Sequence, residues 1–294
     1  LFSKGSAMSA THPARAYNLF EFVKGLALSI TNTVYVPYLV TLGLSYADVA
    51  RLNAFFWGMI VVAELPTGMW ADGKSRLWSI RVGMAFATVS AFAYAFVQGF
   101  WGALICELLM GIAFAFLSGA QQAWIVDALD HIGEGHRRRA VVGRSAMLRG
   151  LGVIVGGLAG AFIGAHNPRL AWIAEGVFSL CGLAVAWFCM RDQGEPLHRV
   201  SEKEALHKSI ALLRLHPGLT WAVAAAMLYG LVLPFNHYWT PFFAARIGQT
   251  ALGYLWVPMY LALASAGALV RSERVVFHGV SGVTLALFLA GSSL

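Results

Sequence analysis

Nine apolar runs, each about as long as a bilayer is thick, constrain this chain more than any single motif. They cover approximately residues 17–42, 45–70, 77–97, 100–128, 141–165, 170–190, 219–245, 251–270 and 275–290. About 20 helical residues cross a hydrocarbon core, and only helices or closed barrels satisfy every backbone polar group there. The runs therefore predict an all-α polytopic membrane protein of about nine spanning helices. Charge content agrees: 12% of the 294 residues are charged, about half the soluble average of roughly 25%. The formal charge of +7 is scattered among loops, which fits a lipid bilayer as partner and not a nucleic acid. Cys106, Cys181 and Cys189 lie in apolar runs without metal or redox spacing, so they read as small buried residues. The sequence predicts no metal site, no cofactor and no cleavable signal peptide.

Lys and Arg set the orientation. With the N-terminus inside, the inner segments carry Lys4, Arg15, Lys74, Arg76, Arg81, Arg137 to Arg139, Arg144, Arg191, Arg199, Lys203, Lys208, Arg214, Arg271 and Arg274. The outer side keeps Arg51, Arg169 and Arg246. This predicts a cytoplasmic N-terminus in a bacterial inner membrane. Trp70, Trp78, Trp124, Trp187 and Trp221 near inner ends, with Trp101 and Trp172 near outer ends, read as interfacial anchors.

The polar stretch 191–217 holds Ser201-x-x-Glu204, a capping box, then Leu206, Ile210 and Leu213 at helical spacing. It predicts an amphipathic surface helix linking a six-helix unit, 1–190, to a partial second unit, 218–294. A repeat supports this division. Asn32-x-x-Tyr35-x-Pro37 reaching Gly43 matches Asn236-x-x-Trp239-x-Pro241 reaching Gly248. Two parallel halves of this kind are a transporter architecture.

An ionisable residue inside a membrane is a functional candidate by default. Glu107 lies within the fourth run. Gly111, Phe114, Ser118 and Gln121 or Gln122 continue its face, a polar stripe suited to a water-filled cavity; a neutral Glu107 bonded between helices is the structural alternative. Thr31, Asn32, Thr33, Tyr35 and Tyr38 of the first run and Asn236, His237, Tyr238, Trp239 and Thr240 of the seventh supply further polar and aromatic groups. Glu21, Lys24, Glu64, Asp127, Arg144 and Arg149 lie nearer the inner surface and predict ion pairs between helix ends. Glu175 is expected at the outer interface. Gly152, Gly156, Gly157, Gly160 and Gly164 predict close helix packing.

The charged stretch 64–78, wedged between the second and third runs, carries a family resemblance. Gly68, Ala71, Asp72 and Arg76 resemble the signature loop of the major facilitator superfamily, with Gly73, Ser75 and Leu77 departing from it. Gly152, Gly156 and Gly160 are similar to that family's antiporter motif, Gly157 replacing its proline. Gly111 resembles a further motif in which Glu107 stands in place of an arginine. Residues 118–120 through Asp127 look like a helix ending common in drug-efflux members. The resemblance implies a twelve-helix fold, so the chain is expected to lack three C-terminal helices. It further implies that Asp72 contacts a helix of the second half and stabilises the outward-facing state, and that the glycine motif accompanies proton-coupled efflux.

The expected function is that of a secondary transporter, probed first as proton-coupled efflux of a small amphipathic or cationic compound by a monomer. Uptake of a metabolite by symport, or a non-transporting scaffold or sensor, are the alternatives. No nucleophile–base pair points to an enzyme.

Overall fold

The computed structural model describes residues 12–73, 75–192 and 233–271; within its helices the side chains of Asp72, Asn236 and His237 lie outside the description. So do the expected linker helix after residue 192 and the ninth span. The described residues form ten α-helices: α1 Pro13–Ala27, α2 Tyr35–Thr41, α3 Tyr46–Gly73, α4 Arg76–Tyr94, α5 Phe100–Leu117, α6 Ala120–His131, α7 Arg138–His166, α8 Pro168–Phe188, α9 Leu233–Ile247 and α10 Gln249–Arg271. There is no strand among them. Four helical stretches, Arg76–Tyr94, Phe100–His131, Gly135–His166 and Pro168–Phe188, are long and apolar enough to cross a membrane.

Two expected spans are broken, and the local sequence explains both. The first stops at Ala27 and restarts at Tyr35. Between them lie Ser29, Thr31, Asn32 and Thr33, whose side chains compete with helical backbone bonds. Ser29 Oγ donates to Gly25 O at 2.7 Å, and three-residue turns such as Val34 N to Thr31 O, 2.8 Å, carry the chain across. The fourth span stops at Leu117. Ser118 is extended, Gly119 takes φ 68, and α6 begins afresh. A left-handed φ suits glycine, which has no Cβ to clash. The stripe drawn from Glu107 through Ser118 to Gln121 therefore does not run down one helix; it ends with α5.

The signature stretch is also more helical than a loop. α3 continues through Gly68 to Gly73, and α4 starts at Arg76 with Ser75 as its cap, accepting from Trp78 N. The connection is two residues long.

α1 packs on α7 and α8, α4 on α5 and α8, α3 on α5, and α10 on α7. The α1–α7 contact is set by glycine. A Cβ at Gly160 would stand 1.7 Å from Ile30 O, at Gly156 2.2 Å from Leu26 O, and at Gly152 2.3 Å from Phe22 O. Three successive turns of α7 thus meet α1 and the break that follows it backbone to backbone, which only small residues permit. Gly157 faces elsewhere: a Cβ there would lie 2.0 Å from Trp256 Nε1 of α10. That indole donates to Val153 O at 2.9 Å.

The two repeat stretches end alike, because Gly43 after α2 and Gly248 after α9 both have φ 84. Trp70, Trp78, Trp101 and Trp187 are exposed, as interfacial anchors are. Trp124 and Trp172 are buried instead, at 2% and 3% exposure. Trp124 sits in the inner core with Tyr17 and Leu129, and Trp172 in the outer core with Tyr38 and Tyr94. Of the cysteines, Cys106 is buried, Cys189 is partly buried and Cys181 is exposed.

Candidate functional site

The broken first span brings polar groups into the bundle, and α4, α5 and α8 meet it there. Glu107 of α5 is buried, 6% exposed. Tyr35, at the start of α2, donates its hydroxyl to Glu107 Oε1 at 2.7 Å, and Tyr94, at the end of α4, donates to the same oxygen at 2.6 Å. Tyr94 is itself held by a stack on Trp172, with ring centroids 4.0 Å apart and planes 10° from parallel. Tyr38 donates to Tyr94 O at 2.9 Å. Glu107 is thus bonded between helices, and its acceptor oxygen is fixed by two hydroxyls on separate elements.

A second carboxylate completes this region. Glu175 of α8 is 2% exposed, not interfacial. It accepts from Thr31 Oγ1 in the break between α1 and α2. Its placement follows from α8 itself: Trp172, Glu175, Ser179 and Gly182 recur at helical spacing on the buried face. Among the described residues neither Glu107 nor Glu175 has an ion-pair partner. Three polar groups beside them, Trp172 Nε1, Thr33 Oγ1 and Ser179 Oγ, are buried without a hydrogen-bond partner. A dry, ionised carboxylate without a counter-charge is costly, so this region suits a group that gains and loses a proton or meets a cation.

The half of the bundle that holds Glu21 and Lys24 is built differently. Lys24, in the last turn of α1, donates to Glu21 Oε1 at 2.8 Å and also to Gln121 Oε1 of α6. Arg149 of α7 approaches Glu21 Oε2 at 3.6 Å. Two cations share one buried carboxylate, leaving one positive charge in excess. Further in, Arg76 pairs with Asp127 and donates to Ala123 O at 3.0 Å, tying α4 to α6. Ser118 Oγ reaches Glu64 Oε1 at 3.4 Å, and Ser75 Oγ donates to Asp192 Oδ2 at 2.6 Å.

The remaining expected residues are placed as follows. Asn32 is exposed in the break. Gln121 joins Lys24 and not the Glu107 region. Trp239 is buried in an aromatic group with Trp256, centroids 6.0 Å apart, and Leu252. Arg144 is exposed at the start of α7. The side chains of Asn236, His237 and Asp72 lie outside the described residues, so the contact expected of Asp72 with the second half does too. Tyr94 as a direct partner of Glu107, Thr31 as the partner of Glu175, Trp172 as the ring on which Tyr94 stacks, and Glu175 itself are additions from the structure. No group of metal-ligating side chains occurs among the described residues.

An all-helical membrane bundle whose first span breaks beside a buried carboxylate belongs to the class of polytopic membrane proteins with polar interiors. Residues 19–293 match the family model for the Major Facilitator Superfamily, and the chain belongs to that family. Its fold is similar to a crystal structure of the peptide transporter POT in complex with sulfate, with a TM-score of 0.53 and 16% sequence identity over 88% of this chain. The chain spans 54% of that protein's length. No curated protein matches the sequence.

Proposed function

We propose that the protein is a secondary active transporter working by alternating access, and that it couples efflux of a small amphipathic or cationic compound to proton entry. The observation carrying this reading is Glu107, buried without a counter-charge and bonded by Tyr35 and Tyr94. Protonation removes the desolvation cost of the carboxylate, while the two tyrosine donors stabilise it when ionised. The same side chain is therefore suited to exchanging a proton for a substrate cation. Glu175 of α8, bonded to Thr31, adds a second exchangeable carboxylate.

The glycine face of α7 supplies a close-packed pivot against α1, and Gly157 lets Trp256 of α10 reach the same helix. α7 so touches both units, as a helix transmitting relative motion must. A cytoplasmic N-terminus in a bacterial inner membrane is part of the proposal, and the distribution of Lys and Arg supports the side. The test is transport in proteoliposomes, with ethidium as a cationic amphipathic probe and an imposed pH gradient. Gradient-driven efflux that Glu107→Gln abolishes supports the reading; gradient-independent movement in both proteins removes proton coupling.

A second reading is uptake of an anionic metabolite by symport. The excess cation of the Lys24, Arg149 and Glu21 cluster favours it, and the protein of similar fold is described as a peptide transporter. Accumulation of a labelled acidic dipeptide driven by an inward proton gradient, lost in Lys24→Gln, distinguishes this reading from efflux.

A further inference from the structure

The first turns of α1 and α7 meet away from both carboxylates and enclose a cavity of about 320 Å³, within the roughly 300–1,000 Å³ range of small-ligand sites. Its wall includes His12, Arg15 and Asn18 beside α1, and Arg137 and Arg144 beside α7. Glu134 is the carboxylate in contact with this group, 3.3 Å from His12 Nε2 and 2.6 Å from Arg137 Nη1. Three arginines against one carboxylate leave two positive charges in excess with His12 neutral. Arg15 and Arg144 form no ion pair with another described residue. Residues 1–11 contain Lys4 and no carboxylate. Asn18 is 8% exposed, and its Oδ1 has no hydrogen-bond partner; it offers an acceptor to a ligand hydroxyl.

We infer that this cavity binds a phosphate group bearing a hydroxyl, with Arg15 and Arg144 holding the charge and Asn18 accepting from the hydroxyl. On the proposed N-in topology it opens at the inner leaflet, where basic pockets between helices take acidic lipid headgroups; the same chemistry is offered by phosphate free in solution. This inference rests on the proposed topology for its side of the membrane, but not on proton coupling.

The experiment is native mass spectrometry of the full chain in detergent with phosphatidylglycerol, phosphatidylcholine or inorganic phosphate, for the parent and for R15Q/R144Q. Retention of phosphatidylglycerol over phosphatidylcholine, falling roughly 30-fold in the double variant if each basic side chain contributes about fivefold, supports a lipid headgroup. Inorganic phosphate that binds the parent and displaces phosphatidylglycerol, with the same loss in the variant, supports the site with free phosphate as its source. Equal retention of both lipids without phosphate binding, or a variant that binds like the parent, overturns it. R144Q alone, at an exposed position, serves the comparison if the double variant folds poorly. Ethidium transport run in parallel separates this outcome from failure of the transporter reading.

Discussion

Glu21 and Glu107 are both buried glutamates, at 2% and 6% exposure, yet the protein treats them in opposite ways. Glu21 lies between two cations, Lys24 and Arg149. Glu107 receives only neutral hydroxyls, from Tyr35 and Tyr94. A carboxylate between cations ties the helices that carry them together. A carboxylate among neutral donors can change its charge without stranding a partner. The difference teaches that burial alone does not separate the two; the absence of a counter-charge does, and it is what the proposed role of Glu107 rests on.

The comparison can be broken by neutralising each residue in turn. Glu21→Gln leaves a buried Lys24 and a partly buried Arg149 without their shared carboxylate and mutually repelling. Breaking a buried pair from one side costs about 3–5 kcal/mol, so thermal unfolding in detergent is expected to show the largest loss of the series. Gly160→Ala tests the packing that both regions share. Its Cβ would sit 1.7 Å from Ile30 O, so α1 and α7 must separate, at a cost of about 1–3 kcal/mol, read in the same melt.

A smaller effect is expected at Tyr94. Tyr94→Phe keeps the stack on Trp172 and removes one donor to Glu107, costing about 1 kcal/mol and slowing proton-coupled ethidium efflux. Glu175→Gln retains an acceptor for Thr31. It should leave the melt within about 0.5 kcal/mol of the parent and reduce, without abolishing, the response of efflux to the pH gradient. A loss of stability at Glu175 matching that at Glu21 would erase the distinction between the two regions.

Much of this was legible in the residues. Runs of apolar sequence give the spans, and Glu107 stands out as a lone charge inside one. The four-residue spacing of Gly152, Gly156 and Gly160 announces a close helix contact. Arg76 and Asp127 were both expected at inner helix ends, and they pair there. The breaks at 28–34 and at Gly119 were hidden because an apolar count sees length and not backbone direction. Glu175 was misplaced for a related reason. It sits near one end of its run, and position along the run was weighed above its face. Its spacing from Trp172 and Ser179 was the available signal. The tyrosine donors to Glu107 come from helices 72 and 13 residues away in sequence, and no local pattern reports such pairings.

The central claim is that Glu107 carries the coupling proton. The direct measurement is ethidium movement in proteoliposomes containing Glu107→Gln, run as pH-driven efflux and as exchange at equal pH. Exchange needs no net proton release, so the account predicts that it persists while pH-driven efflux is lost. Unchanged pH-driven efflux in that variant would contradict the account.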